Sequence, residues 1–136
     1  MKALLSSPLP RFWYTAVLVV VISQLARGIF LQWAVFNSGI AFNLTPPLFV
    51  TYILSGVLIL AIAIWFYLTQ RFGLLWAVAL GLIFGGGASN LLDRLFHNGL
   101  VADYIHFGSL GTINLADAAI SAGILLAVLY LNYEKS

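Results

Sequence analysis

Four long apolar runs, separated by short polar stretches, dominate the chain. They fall at about residues 12–32, 48–69, 72–96 and 113–133. Each run is close to the ~20 residues that a helix needs to cross the hydrocarbon core of a bilayer. The pattern therefore predicts an all-α integral membrane protein in which residues 1–136 form one domain, a four-transmembrane-helix bundle with short connecting loops.

The first apolar run has an alternative interpretation as a cleavable signal peptide, because the basic residues Lys2 and Arg11 precede it. The length of the run, and the further spans that follow directly, favour a membrane helix.

Composition supports membrane insertion and narrows the chemistry. The chain is 62% hydrophobic and only 7% charged, whereas a soluble domain has about 25% charged residues. It contains no cysteine, which excludes disulfides, thiolate metal sites and a cysteine nucleophile. The net charge of +2 comes from scattered residues, so the chain lacks the basic patch that a nucleic-acid partner requires.

The basic residues of the short segments also predict an orientation. Four of them fall on one side of the predicted bundle: Lys2, Arg11, Arg71 and Lys135. Because basic residues accumulate in cytoplasmic segments, both termini are expected inside the cell. The loops that carry Asn37 and Asp103 then lie at the extracytoplasmic face.

Small residues recur every four positions in the last two spans. The third span carries such a stripe at Gly81, Gly85 and Ser89, and the fourth at Ala119, Gly123 and Ala127. Small residues at this spacing let membrane helices approach closely. We therefore expect the third and fourth spans to pack against each other along these stripes.

Residues 85–117 hold three of the four acidic residues, together with Arg94 and both histidines. Ionisable groups in or beside apolar spans cost several kcal/mol by most estimates, so they usually mark a working site. Asp103 falls in the second outer loop, and Asp117 follows 14 positions later in the first turns of the fourth span. A loop of this length can bring the two carboxylates together.

Two neighbouring carboxylates share a proton, so one can activate water while the other protonates a leaving group. This chemistry hydrolyses a peptide bond with no metal and no covalent intermediate. The helix dipole favours the negative charge on Asp117, which leaves the shared proton on Asp103 as a hypothesis. The alternatives are a solvated loop aspartate at Asp103 and a helix-capping or first-turn acid at Asp117.

Other polar residues surround this pair in the sequence. Asn90 and Arg94 share one helix face, and Asp93 and His97 the neighbouring face. Arg94 either holds a substrate carbonyl or lipid phosphate, or marks the membrane surface and pairs with Asp93 or lipid. Asn114 either binds an active-site carboxylate or the substrate backbone, or caps the fourth helix.

Arg27 is the one basic residue inside the first apolar run, near its outer end. It either extends to the membrane interface or balances a negative charge in the site. His97 and His106 lack a third ligand at metal-binding spacing, so we interpret both as surface residues.

Four motifs resemble the lipoprotein signal peptidase, or signal peptidase II, family: FNSGIAF (36–42), GGGASNLLDRL (85–95), VADYI (101–105) and INLADAAI (113–120). The resemblance implies an aspartic endopeptidase of the bacterial cytoplasmic (inner) membrane. It would cleave signal peptides from diacylglyceryl-modified prolipoproteins just before the lipidated cysteine, without a cofactor. The implied partners are this substrate and membrane lipids, and we expect a monomer.

Carried over by motif, Asp103 and Asp117 are the catalytic dyad. The residues that would orient the dyad or the substrate are Asn37, Asn90, Arg94 and Asn114, with Arg27 as a further candidate.

The chain departs from the family pattern in two places. The family usually has an Asp-Gln pair and then Lys in the first span, whereas this chain has Ser23, Gln24 and Arg27. Only nine residues separate Arg27 from Asn37, so the small β-sheet cradle of the family must be reduced or absent. These departures leave two other functions open, a non-catalytic homologue that binds lipoprotein signals and a small proton-coupled membrane subunit. The second predicts acids deeper in the bilayer.

Overall fold

Long stretches of apolar residues without interior proline give four helices. A computed structural model of the protein describes residues 7–38, 47–69 and 73–134. Its helices are α1 (Pro8–Phe30), α2 (Leu48–Leu68), α3 (Leu74–Phe96) and α4 (Leu115–Glu134). All four are long and apolar enough to cross a membrane. The predicted four-helix membrane fold is therefore confirmed.

The helix ends lie within a few residues of the predicted ones, with the largest difference at α1. This helix begins at Pro8 rather than at residue 12. Its two prolines occupy the first turn, where an amide N–H has no partner inside the helix and proline is tolerated. Lys2, Arg71 and Lys135 lie outside the described residues, so the orientation with both termini inside stays a prediction.

The third helix is the centre of the bundle. Half of its most apolar stretch is buried inside the protein, compared with 11%, 11% and 17% for the spans of α1, α2 and α4. Close packing on both sides depends on glycine. A Cβ on Gly85 would lie 2.6 Å from the carbonyl oxygen of Ala16 in α1, and one on Gly86 would lie 2.5 Å from that of Ala116 in α4.

The prediction for the stripe of the third span is wrong. Gly81 contacts Phe12 and Thr15 of α1, and Gly85 contacts Ala16 of the same helix. The stripe thus faces the first span. The α4 position Gly123 does face α3, where its Cβ would lie 2.7 Å from the Ala79 carbonyl oxygen. The spacing alone shows that small residues line one face of a helix, but it does not show which neighbouring helix packs against that face.

The apolar core lies at the end of the bundle away from the polar residues. Phe12, Phe66, Trp76 and Leu80 are fully buried there. The Phe12 and Phe66 rings stack with their centroids 4.1 Å apart. The polar contacts lie at the opposite end of the bundle, at the end of α3 and the start of α4.

The outer connections contain two short antiparallel sheets, which the hydrophobic pattern did not predict. Strand β1 (Val35–Asn37) pairs with β2 (Val101–Asp103), so that Val35 lies opposite Asp103. Strand β3 (Ile105–His106) pairs with β4 (Thr112–Ile113). The first sheet places Asn37 beside β2, and the second returns the chain to the start of α4. Within the described residues the cradle is thus reduced to three-residue strands; residues 39–42 of the first motif lie outside them.

We expect Gly81→Val to lower the free energy of unfolding by roughly 1–3 kcal/mol, because the added side chain would force α1 and α3 apart. Thermal unfolding in detergent, followed by tryptophan fluorescence, measures the change. Gly56→Val is the matched control, since a Cβ at Gly56 meets no atom within 4 Å. Equal unfolding temperatures for the two variants would contradict the assigned packing.

Candidate active site

The two predicted dyad residues come from different elements. Asp103 ends β2, and Asp117 lies in the first turn of α4. Asn114 joins them. Its side-chain Nδ2 donates to Asp103 Oδ1 at 2.9 Å, and its backbone N–H donates to Asp117 Oδ2 at 3.3 Å. One residue therefore fixes both carboxylates.

Asn114 also caps α4. Its Oδ1 accepts the backbone N–H of Asp117 at 2.9 Å, while the Asp117 carboxylate accepts the Asn114 N–H. This reciprocal pair is a capping box, which satisfies two backbone donors at the start of the helix. Both interpretations of Asn114 from the sequence are therefore correct: it caps the helix and binds a carboxylate.

Asn90 of α3 completes the connection between the carboxylates. Its Nδ2 donates to Asp117 Oδ1 at 2.7 Å, and its Oδ1 accepts the Asn114 Nδ2 at 3.0 Å. Asn90 and Asn114 are both buried. The amides therefore fix the separation of α3 from the start of α4 at the level of the dyad.

Asp103 is 3% exposed, so it is not a solvated loop aspartate. Burial raises the pKa of Asp103 above its ordinary value of 3.8, and the charge of Asp117 acts in the same direction. Hydrogen bonds from Asn37 and Asn114, together with the charge of Arg94, act in the opposite direction. The Asn37 bond comes from β1, where Nδ2 lies 3.3 Å from Asp103 Oδ2. Burial therefore favours the protonated form of Asp103.

Arg94 is 6% exposed, which excludes the interpretation that it only marks the membrane surface. Its guanidinium interacts electrostatically with Asp117, Asp103 and Asp93. Tyr52 of α2 donates to the Arg94 carbonyl oxygen at 3.1 Å. Arg94 thus places a positive charge beside the dyad.

A second cluster lies on the neighbouring face of α3. Arg27 Nε lies 3.3 Å from Asp93 Oδ1, and Gln24 Nε2 donates to the same oxygen at 2.9 Å. The other Asp93 oxygen accepts the backbone N–H of Ala102 at 3.5 Å. Since Ala102 precedes Asp103, this cluster ties the strand that carries Asp103 to α1 and α3.

Arg27 therefore balances Asp93 and reaches the dyad only indirectly, through the strand. Sequence reasoning did not include Gln24 and Asp93 among the site residues. The spacing of Gln24 and Arg27, three residues apart on one face of α1, was the signal that could have found them.

The histidines differ from each other. His97 is half-buried, with Nε2 2.6 Å from an Arg27 nitrogen and Nδ1 2.8 Å from the Asp93 carbonyl oxygen. It therefore belongs to the second cluster and is not a free surface residue. His106 is exposed, as predicted. Within the described ranges, no three His, Asp or Glu side chains group closely enough to bind a metal ion.

Ser23 occupies the position where the resemblance led us to look for an acid. It is 4% exposed, and its hydroxyl has no hydrogen-bond partner among the described residues. It borders a cavity of about 10 Å³ that Gln24, Arg27, Asp93 and Asn114 also line. A volume of this size is close to what one water molecule needs. The first helix thus contributes an uncharged hydroxyl to the second cluster.

An apolar cleft of about 440 Å³ opens between α2, α3 and α4. Asn90, Arg94 and Asp117 form its polar end. The rest of its wall includes Leu54, Leu58, Ile62, Ile83, Gly87 and Ile120. The cleft therefore joins an apolar surface to Asp117.

Comparison with known proteins identifies the family to which the chain belongs. The model of the family described as signal peptidase (SPase) II matches residues 9–133. The chain belongs to the signal peptidase II family. The protein is therefore a membrane peptidase, and the family assignment made from the four motifs is confirmed.

Individual relatives agree with this assignment. A lipoprotein signal peptidase of Syntrophomonas wolfei is 33% identical, over 89% of this chain and 93% of the relative. One of Dehalococcoides mccartyi is 34% identical, over 94% of this chain and 83% of the relative. The match to a Streptomyces griseus relative is 37% identical and spans about half (55%) of that protein.

Solved structures support the fold of the peptidase. Two bacterial membrane enzymes superimpose with TM-scores of 0.76 and 0.73, over 90% and 88% of this chain and 88% and 91% of theirs. They are 23% and 21% identical to it, so this likeness shows the fold alone. Asn37, Asn90, Arg94 and Asn114 lie around Asp103 and Asp117, while Arg27 lies one layer further away. The catalytic and orienting roles of these residues stay predictions.

We expect Asn114→Ser and Asn114→Ala to lower kcat/KM by similar factors of about 100-fold, because neither side chain can hold Asp103. Serine still caps a helix, so only the alanine variant should also lose about 1 kcal/mol of stability. Steady-state kinetics and thermal unfolding in detergent separate the two effects. Full activity of Asn114→Ser would show that the bond to Asp103 is dispensable.

Proposed function

We propose that the peptidase cleaves the signal peptide from diacylglyceryl-modified prolipoproteins just before the lipidated cysteine, with Asp103 and Asp117 as its catalytic dyad. One observation carries this proposal: the buried Asp103 and the half-buried Asp117 are joined through Asn114, and Asp117 lies at the polar end of an apolar cleft between the helices. A lipid-modified peptide presents both an apolar chain and a scissile bond to such a site.

The chemistry follows from the environments of the two acids. Asp103 starts protonated and Asp117 ionised, because burial raises the pKa of Asp103 and the helix start favours a charge on Asp117. A water between them gives a proton to Asp117 and attacks the scissile carbonyl carbon, while Asp103 donates its proton to the carbonyl oxygen. The tetrahedral intermediate then collapses: the C–N bond breaks, the proton on Asp117 passes to the leaving amine, and one hydroxyl of the intermediate returns its proton to Asp103 as the carbonyl group re-forms.

The surrounding polar residues hold this geometry. Asn37 and Asn114 donate to Asp103, and Asn90 donates to Asp117. Arg94 borders the cleft beside Asp117, where its charge can hold a substrate carbonyl or a lipid phosphate. Arg27 acts at a distance, since it anchors Asp93, which in turn accepts the N–H of Ala102.

The proposed location is the extracytoplasmic face of the bacterial cytoplasmic membrane, with both termini inside. All polar site residues come from the end of α1, the end of α3, the start of α4 and the strands between them, so the site lies at one end of the bundle. We propose that the peptidase acts as a monomer, because both acids and the amides that hold them come from one chain. Membrane lipids surround the exposed apolar helix faces.

The two alternative functions fit the site less well. A proton-coupled subunit needs acids that reach across the bilayer, whereas the helical acids of the site, Asp93 and Asp117, lie in the last turn of α3 and the first turn of α4. A non-catalytic binder of lipoprotein signals fits the uncharged Ser23, but it leaves the hydrogen-bonded carboxylate pair without a use. Turnover of a prolipoprotein by the wild-type protein separates binding from catalysis.

We expect Asp103→Asn and Asp117→Asn each to lower cleavage of a diacylglyceryl prolipoprotein by roughly 10³-fold or more, because each removes one proton-transfer group. The assay uses purified protein and follows the shift of the substrate on a gel. His106→Gln, an exposed change in the same loop, should cleave normally. Normal cleavage by either aspartate variant would exclude the dyad, and binding without turnover by wild type would favour the non-catalytic alternative.

We expect Asn37→Ala to move the alkaline limb of the pH profile to higher pH. The Asn37 amide stabilises the charged form of Asp103, so its removal raises the pKa of Asp103 further. Activity falls as the dyad loses its shared proton, and this loss then requires a higher pH. Profiles of kcat/KM against pH test the shift. Asn98→Gly, in an exposed turn with a φ of 53°, is the control, and a shift to lower pH would contradict the assignment.

A further inference from the structure

The three consecutive glycines of α3 have different surroundings. Gly85 faces α1 and Gly86 faces α4, and at both positions a Cβ would overlap backbone atoms of the neighbouring helix. Gly87 faces α2, where the nearest atom to a Cβ would be Ile59 Cγ1 at 3.3 Å, with no backbone atom within 4 Å. Helix packing therefore requires the first two glycines but not the third.

A glycine inside a helix is about 1 kcal/mol less favourable than alanine. An alanine at position 87 would need Ile59 to move by only a few tenths of an ångström, and Ile59 borders the open cleft. The fold would thus accept a small side chain here. The absence of a side chain at Gly87 does leave space in the cleft, because Gly87 is part of the cleft wall.

The cleft has the length of one acyl chain. Along α3 it runs from Arg94 to Ile83, about 16 Å at the helical rise of roughly 1.5 Å per residue. The hydrocarbon core of a bilayer is about 30 Å thick, so an acyl chain of one leaflet extends about 15 Å. Gly87 lies one helical turn below Asn90, directly under the polar end of the cleft.

We propose that Gly87 is a specificity-determining residue, which leaves room for an acyl chain of the lipid-modified cysteine to pass from the dyad into the cleft. This inference rests on the proposed function. A large side chain at position 87 would fill the space between α3 and Ile59. Only the part of the cleft within one helical turn of its polar end would stay open. Long acyl chains would then be excluded, while short ones would still fit.

The test compares two prolipoprotein peptides that differ only in their lipid, dipalmitoyl or dioctanoyl. For each variant we measure the ratio of kcat/KM for the long-chain substrate to that for the short-chain substrate. We expect Gly87→Leu to lower this ratio by about tenfold or more, the size of discrimination that an apolar pocket gives. Gly87→Ala should lower it less. Gly56→Leu is the control, because that position opens away from any neighbour, and its ratio should equal the wild-type ratio.

A second variant keeps the test decisive if Gly87→Leu unfolds. Ile59→Ala widens the cleft from the α2 side, so the double variant Gly87→Leu/Ile59→Ala should regain both stability and cleavage of the long-chain substrate. Equal losses for both lipids in a folded Gly87→Leu protein would overturn the inference and point to an apolar segment of the signal peptide in the cleft. Absence of cleavage of either lipid form by the wild-type protein would instead refute the proposed function itself.

Discussion

The site depends on the hydrogen bonds of Asn114. Buried carboxylates are costly unless donors surround them, and Asn114 supplies donors to both Asp103 and Asp117 from a single position. The same residue begins α4 through its capping bonds. The start of the helix and the separation of the two acids are therefore one structural feature, and α4 cannot shift along β2 without breaking both.

The helical period of α3 keeps two sets of charges apart. Asp93 and Arg94 are adjacent in sequence, yet adjacent residues on a helix point to different faces. Asp93 pairs with Arg27 of α1, whereas Arg94 faces the cleft with Asp117. The strand β2 connects the two sets. Asp93 accepts the N–H of Ala102, and the next residue, Asp103, accepts from Asn114, which also binds Asn90 and Asp117.

The sequence predicted the features that follow from the spacing of residues along the chain. It missed the features that depend on which helix faces contact each other. Apolar runs of sufficient length placed the four spans to within a few residues, and the largest difference lies at the prolines that begin α1. The motifs located the residues that surround Asp103 and Asp117. The spacing could not show whether Gly81 and Gly85 face α1 or α4, because a helix face lined by small residues allows any neighbouring helix to approach closely. The strands have two or three residues each, too short for an alternating pattern. Asp93 needed its partners Gln24 and Arg27, 66 to 69 positions away in the chain, to be recognised as part of the site.

Charge balance explains why this polar cluster can be buried at all. It contains three carboxylates, from Asp93, Asp103 and Asp117, and two guanidinium groups, from Arg27 and Arg94. One proton on Asp103 or Asp117 would make the sum zero, and its loss would leave a net negative charge in a medium of low dielectric constant. Burial therefore favours the protonated state of Asp103, which is also the state that peptide hydrolysis needs at the start. The uncharged Ser23 preserves this charge balance. A further carboxylate beside Asp93 would add a negative charge that neither arginine is free to neutralise, because both already interact with the carboxylates of the cluster.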